Sequence, residues 1–231
     1  MDIIWEGIKA AFRLILSLDP ELIQILFLSL EVSGLAILIA VILGIPFGVF
    51  LGLHRFPGRN LIVTLVNTGM GFPPVVVGLF VFLLLARSGP LGSFNLLYTP
   101  WAMIIAQIII ALPLVVGVTM AGIQSIEEKL KYQILALGAS GFQYLLKLLK
   151  EGQLIILSAL AAGFGSIISE VGAVMMVGGN IKGQTRVLTT AIVLETRQGE
   201  YSLAIALGLI LLLIALLLNL LFTYLQQRRL S

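Results

Sequence analysis

Uninterrupted apolar runs constrain this chain more than any other feature. Residues 34–53 and 201–225 contain no Asp, Glu, Lys or Arg. Each is long enough to cross a bilayer core as a helix. No water satisfies backbone N–H and C=O groups there, so a run of this kind spans only if it closes its own hydrogen bonds. Composition agrees: 59% of residues are hydrophobic and 11% charged, against about 25% charged in a soluble domain. The chain reads as an all-α integral membrane protein. About five transmembrane helices are expected, near residues 22–53, 61–86, 101–124, 154–177 and 201–225. No internal repeat or linker divides them, so 21–231 is expected to be one transmembrane domain.

Residues 1–20 lack the long apolar core and small-residue cleavage site of a signal peptide. Asp2, Glu6, Lys9, Arg13 and Ser17 recur on one helical stripe, with Ile4, Ile8, Phe12, Ile15 and Leu16 elsewhere on the helix. That pattern predicts an amphipathic helix in the membrane interface, ended by Asp19-Pro20. Five spans place the termini on opposite sides. One side collects Arg55, Arg59, Lys129, Lys131, Lys147, Lys150, Arg228 and Arg229; the other collects Lys9, Arg13, Arg87, Lys182, Arg186 and Arg197. The first set is the larger and clusters at helix ends, so it is expected to be cytoplasmic, with the N-terminus outside.

The sequence holds no cysteine and a single histidine, His54. Disulfides, thiolate sites and histidine-cluster metal sites are thereby excluded. No GxxxxGK[ST] phosphate loop and no Ser-His-Asp set is present, so the chain is not expected to be an enzyme. Its net charge of +3 is small and suits membrane orientation rather than a nucleic-acid partner.

One stretch departs from the oil-like pattern. Residues 126–152, including "LKYQILALGASGFQYLLKLLKEG", carry lysines and an amphipathic rhythm. Gly138 interrupts a first helix. Ser140 followed by Gln143 has the spacing of a capping box opening a second. Lys147 and Glu151 are four apart, a spacing that allows an ion pair. This connection exceeds the usual 2–8 residues between helices. It reads either as a helical hairpin resting on the membrane or as a docking knob for a cytoplasmic partner.

Within the apolar segments, Pro73-Pro74 interrupts the second span beside Asn67, Thr68 and Gly69-Met70-Gly71. A packing kink and a break along a pathway are both open. Glu170 is the charge best placed inside a span. An acid repels an anionic cargo, so a structural role bonded between helices or to a twin subunit is preferred over a gate. Ser169 and Gly172 beside it allow close helix contact. Glu31 is placed near the outer interface. The stretch at 178–200 mixes Lys182 and Arg186 with Glu195 and Glu200. It suits docking of a soluble protein, a mild anion funnel or a plain solvated loop.

Three runs resemble one family. "FPPVVVGLFVFLLL" (72–85), "ALPLVV" (111–116) and above all "SEVGAVMMVGGNIKGQTRVLTTAIVLE" (169–195) are similar to segments of the permease subunits of binding-protein-dependent ABC importers of the molybdate/tungstate class. The last run resembles the tungstate permeases in particular, with molybdate the alternative cargo. Gly138-Ala139-Ser140 sits where those permeases carry an E-A-A-x-x-x-G cytoplasmic loop, although Tyr132, Gln133 and Ile134 here replace Glu-Ala-Ala. The resemblance implies a type I importer (MetI-like) fold in the prokaryotic cytoplasmic membrane and a homodimer with the path between two copies. It further implies two ATPase subunits, which hold the ATP and Mg²⁺ absent from this chain, and an extracytoplasmic substrate-binding protein. Docking of the ATPase falls on Ala136, Gly138, Ala139, Ser140, Gly141 and Phe142. The path or gate falls on Asn67, Thr68, Pro73, Pro74, Val75, Ser169, Glu170 and Gly172. The binding protein is assigned Asn180, Lys182 and Arg186. A proton-coupled secondary transporter is less favoured, because neither an inverted repeat nor paired midplane acids are visible.

Overall fold

The computed structural model describes residues 2–17 and 19–227, and every regular element among them is helical. The N-terminal helix α1 (Asp2–Ser17) precedes α2 (Pro20–Leu53). Asp19 separates them and caps α2, its carboxylate accepting from the Glu21 and Leu22 amides at 2.9 and 3.0 Å. Then come α3 (Arg59–Met70), α4 (Pro74–Leu85), a 3-10 turn (Gly92–Phe94) and α5 (Pro100–Ser125). A hairpin of α6 (Glu128–Ala136) and α7 (Gly141–Glu151) leads into α8 (Gln153–Ile168), α9 (Gly172–Gly178), α10 (Leu188–Gln198) and α11 (Tyr201–Gln227). Arg228 and Arg229, counted above for orientation, lie outside the described residues, as does the side chain of Asp2.

Three helices, α2, α5 and α11, are long and apolar enough to cross a membrane alone. Counting each bent pair as one span gives up to five by length and composition: α3 with α4, their axes 104° apart, and α7 with α8, 66° apart, where α8 is the apolar member and α7 carries Lys147, Lys150 and Glu151. The second expected span is therefore broken rather than kinked. The expected span 154–177 is also discontinuous, since α8 stops at Ile168 and α9 begins at Gly172. At 1.5 Å per residue, α8 is about 24 Å long, short of the hydrocarbon core.

Helix α5 is the hub. Its Ala102, Met103, Ala106, Ala111 and Val115 are fully buried among residues of α2, α4, α8 and α9. The most extensive seam is α2 on α5, where Gly44, Gly48 and Gly52 recur at intervals of four. A Cβ at Gly48 would lie 2.7 Å from the Val116 carbonyl oxygen, closer than real atoms approach. Small residues let the two backbones meet, which is how helices associate where lipid supplies no hydrophobic drive. Helix α1 packs on α11 by the same device. A Cβ at Gly7 would lie 2.5 Å from Ile205 Cγ2, and Ala11 is buried. Its apolar Ile4, Phe12 and Leu16 stay exposed.

Candidate translocation site and docking surfaces

The two chain breaks meet. Helix α4 starts after Gly71-Phe72-Pro73, with Pro74 at its first position, where a missing N–H costs nothing. Helix α9 starts after Ser169-Glu170-Val171. A Cβ at Gly172 would fall 2.6 Å from Val75 Cγ2, and one at Gly78 would fall 2.6 Å from the Ala173 Cα. The two short helices thus pack nearly backbone to backbone, with Val75 of α4 against Gly172 of α9.

The second break is closed by side chains from elsewhere in the chain. Gln107 of α5, only 3% exposed, donates its Nε2 to the Ile167 carbonyl at 3.0 Å. Thr189 of α10 donates to the Glu170 carbonyl at 3.0 Å. The Glu170 carboxylate accepts from the Ala173 amide at 2.9 Å, so it caps α9, and its carboxylate sits at the helix end that favours negative charge. Sequence reasoning preferred a bond to another helix or to a twin subunit; within this chain the carboxylate's partner is the amide three residues on. Irregular backbone at membrane depth is tolerated when every freed group finds a partner of this kind. Ser169 is exposed and donates to the Gly165 carbonyl at 3.0 Å.

Helix α3 presents the other polar surface. It buries none of its residues, and Asn60, Thr64, Asn67 and Thr68 are exposed along one stripe. The Thr64 and Thr68 hydroxyls donate to backbone carbonyls one turn back, each at 2.8 Å. Neither Asn60 nor Asn67 spends its amide on a described residue, so the stripe carries free neutral donors.

The hairpin of α6 and α7 forms a separate surface. Ser140 and Gln143 make the expected capping box, Gln143 Oε1 accepting from the Ser140 amide at 2.8 Å and Ser140 Oγ from the Gln143 amide at 3.4 Å. Gly138 has φ +78°, a left-handed conformation that glycine adopts without strain. Ile134 and the fully buried Leu148 anchor the hairpin against Val49 of α2 and Ile123 of α5. Opposed to that anchor is an apolar knob: Leu137 is 88% exposed, Phe142 69% and Tyr132 67%. Of the expected docking residues, Ala136, Gly138, Ser140, Gly141 and Phe142 are exposed and Ala139 is half-buried. Leu137, Tyr132, Leu135 and Leu146 were not among the expected docking residues, although four exposed apolar residues on a charged hairpin are a legible signal. Lys147 and Glu151 form no ion pair in the structure; both are exposed, where such a pair is worth little.

On the opposite face, Lys182 and Arg186 both reach Glu21 at the start of α2, at 2.6 and 3.5 Å. Gln24 donates to the Gly183 carbonyl at 3.0 Å. Asn180 has φ +52° in the turn that ends α9, and its Oδ1 is buried without a hydrogen-bond partner. The expected loop at 178–200 is half helix, α10, whose Leu188, Thr189, Thr190 and Ala191 are buried. Lys182 and Arg186 are therefore braced rather than free.

The family described as "Binding-protein-dependent transport system inner membrane component" matches residues 44–231. The chain belongs to that family. It is 42% identical over 227 residues to the tungstate uptake system permease protein TupB of Peptoclostridium acidaminophilum, spanning 98% of this chain and 100% of that protein. It is 44% identical over 203 residues to a probable anion ABC transporter permease protein of Haloferax volcanii, spanning 86% of this chain and 88% of that one. A bacterial ABC transporter involved in importing the acidic polysaccharide alginate superposes with a TM-score of 0.72 at 22% identity, over 90% of this chain and 79% of that chain. That similarity establishes the fold, an ABC importer permease of the MetI-like type.

Proposed function

We propose that this chain is the path-forming subunit of an importer that carries tungstate, a tetrahedral dianion, through the cytoplasmic membrane. The observation that carries the reading is the end-to-end similarity to a tungstate uptake permease. The geometry supports it in chemical terms. An oxyanion needs hydrogen-bond donors but must also be released, so neutral amides serve a path better than a cage of fixed cations. The exposed stripe of α3, with Asn60 and Asn67, supplies such donors without charge. Two copies related by a twofold axis would face their stripes across the path, with Ser169, Glu170 and Gly172 beside the break that forms its gate.

The hairpin of α6 and α7 is the ATPase contact, its apolar knob seated in a groove of the ATPase subunit. ATP binding draws two such subunits together. Through Ile134 and Leu148 the motion reaches the ends of α2 and α5, and the path alternates between sides. The braced loop of Lys182 and Arg186 receives the external binding protein, and the N-terminus lies outside. The ATP and Mg²⁺ belong to the partner subunit.

Uptake in vesicles holding this chain with its ATPase and binding protein tests the proposal. Tungstate should accumulate only with ATP, and Asn67→Leu should lower uptake about tenfold, the scale of one lost hydrogen bond to a charged group, while the ATPase stays bound. Uptake that survives ATP depletion, by a chain that retains no ATPase, would end this reading.

A further inference from the structure

The end of α2 and the base of the hairpin flank an open cleft of about 880 Å³, which reaches the hairpin's docking residue Gly141 but is lined mostly by residues with no assigned part in transport. Its walls are of two kinds. Pro46, Val49, Phe50, Leu53 and Leu145 form an apolar side, continued along α2 by Phe47, which is exposed. Arg55, Arg59 and Lys131 line the other side with His54, against one carboxylate, Glu128. The ion pairs among the described residues all belong to Glu21, so none of these three cations is neutralised within the chain. Arg59 is held in place because its Nε donates to the Leu51 carbonyl at 2.9 Å. His54 stacks on Phe50 with ring centroids 4.8 Å apart. Arg55 and Lys131 make no hydrogen bond to a described residue. Burial and the nearby Tyr132 hold the Tyr144 phenol above its ordinary value, so this wall residue adds no negative charge.

An apolar slot with an unpaired basic rim, at the ends of spanning helices, has the chemistry of an anionic phospholipid. A free inorganic anion would have no use for Phe50, Leu53 and Leu145. A neutral lipid would leave three cations facing a single carboxylate, Glu128, and would use none of that excess positive charge. We propose that this cavity binds one anionic phospholipid of the cytoplasmic leaflet, with the headgroup phosphate on Arg55, Arg59 and Lys131 and an acyl chain along Phe50 and Phe47. The lipid wedges between α2 and the docking hairpin, so acidic lipid supports coupling to the ATPase. The leaflet rests on the orientation given under the proposed function.

The test uses the assembled importer, titrated with phosphatidylglycerol or phosphatidylcholine and followed by native mass spectrometry. Phosphatidylglycerol should be retained and phosphatidylcholine should not. Arg55→Gln and Lys131→Gln should each weaken retention about fivefold, while Lys150→Gln, outside the cavity, should leave it unchanged. Equal loss from Lys150→Gln reduces the effect to general surface charge and overturns the site. Competition by millimolar phosphate or tungstate assigns the pocket to a free oxyanion. Lost ATPase retention with unchanged lipid binding assigns it to an acidic partner protein. Orientation is read separately: the chain has no cysteine, so a single Pro57→Cys can be labelled with an impermeant reagent. Labelling from outside would sink the leaflet assignment and the proposed topology, yet leave the lipid titration to stand by itself.

Discussion

Gln107 is the residue on which the broken fourth span most depends. A buried amide in the middle of the 26-residue apolar helix α5 has no reason to be there unless another group requires it. That group is the Ile167 carbonyl at the end of α8, which accepts from the Gln107 side chain as well as from the Glu170 amide at 3.2 Å. Gln107→Leu keeps the volume and removes the donor, so it should destabilise the folded protein by about 1 kcal/mol, read as a shift in a detergent unfolding titration. Glu170 permits a sharper distinction. Gln keeps an acceptor for the Ala173 amide, whereas Ala does not. Glu170→Ala should cost about 1 kcal/mol, the usual worth of a helix cap, and Glu170→Gln should cost far less and transport normally. A Gln variant that folds like the parent but fails to transport would make the charge itself part of the gate.

At the scale of elements, the docking hairpin and the spans respond differently to bulk. Nothing lies within 4 Å of a Cβ built at Gly138, whose left-handed φ is the only obstacle to a side chain. Gly138→Trp should therefore leave the protein inserted, at about 1 kcal/mol of backbone strain, and obstruct only what docks there. The expected outcome is ATP hydrolysis no longer linked to uptake; unchanged coupling would remove the hairpin from the ATPase contact. Gly48→Leu should instead damage the fold, because the Val116 backbone occupies the space. Expression and thermal stability should both fall, by about 1–3 kcal/mol in the latter. The hairpin was legible in the sequence because a cap is a local device, with Ser140 and Gln143 three residues apart. The breaks were legible only in part. Pro73-Pro74 announces that a helix stops, but the 104° turn is set by Gly78 meeting Ala173, far along the chain. Ser169-Glu170-Val171 contains no proline at all, and its break exists because Gln107 and Thr189 reach it from other helices. The bracing of Lys182 and Arg186 was not legible because Glu21 stands 161 and 165 positions away.

Across the whole molecule, these contacts divide the parts that move together from those that move apart. Packed helices have discrete arrangements and shift as bodies rather than flexing. Helices α4 and α9 are in near-backbone contact, and α9 is tied through the preceding break to α5 and α10. They pack as one body, which is expected to keep its shape if the proposed path opens and closes. Helix α3, which buries none of its residues, has its polar stripe directed away from that body. Cysteine cross-links separate the two cases cleanly because the parent chain has none. A Cβ at residue 172 lies 3.7 Å from the Val75 Cα, so Val75→Cys with Gly172→Cys has the closeness a disulfide needs. That bridge should form within one subunit and leave tungstate uptake intact, since it joins parts that already travel together. Asn67→Cys should cross-link the two copies across the path and arrest uptake, with reduction restoring it. Arrest by the 75–172 bridge would mean that the paired breaks slide against each other, and the moving seam would then lie inside each subunit rather than between the two.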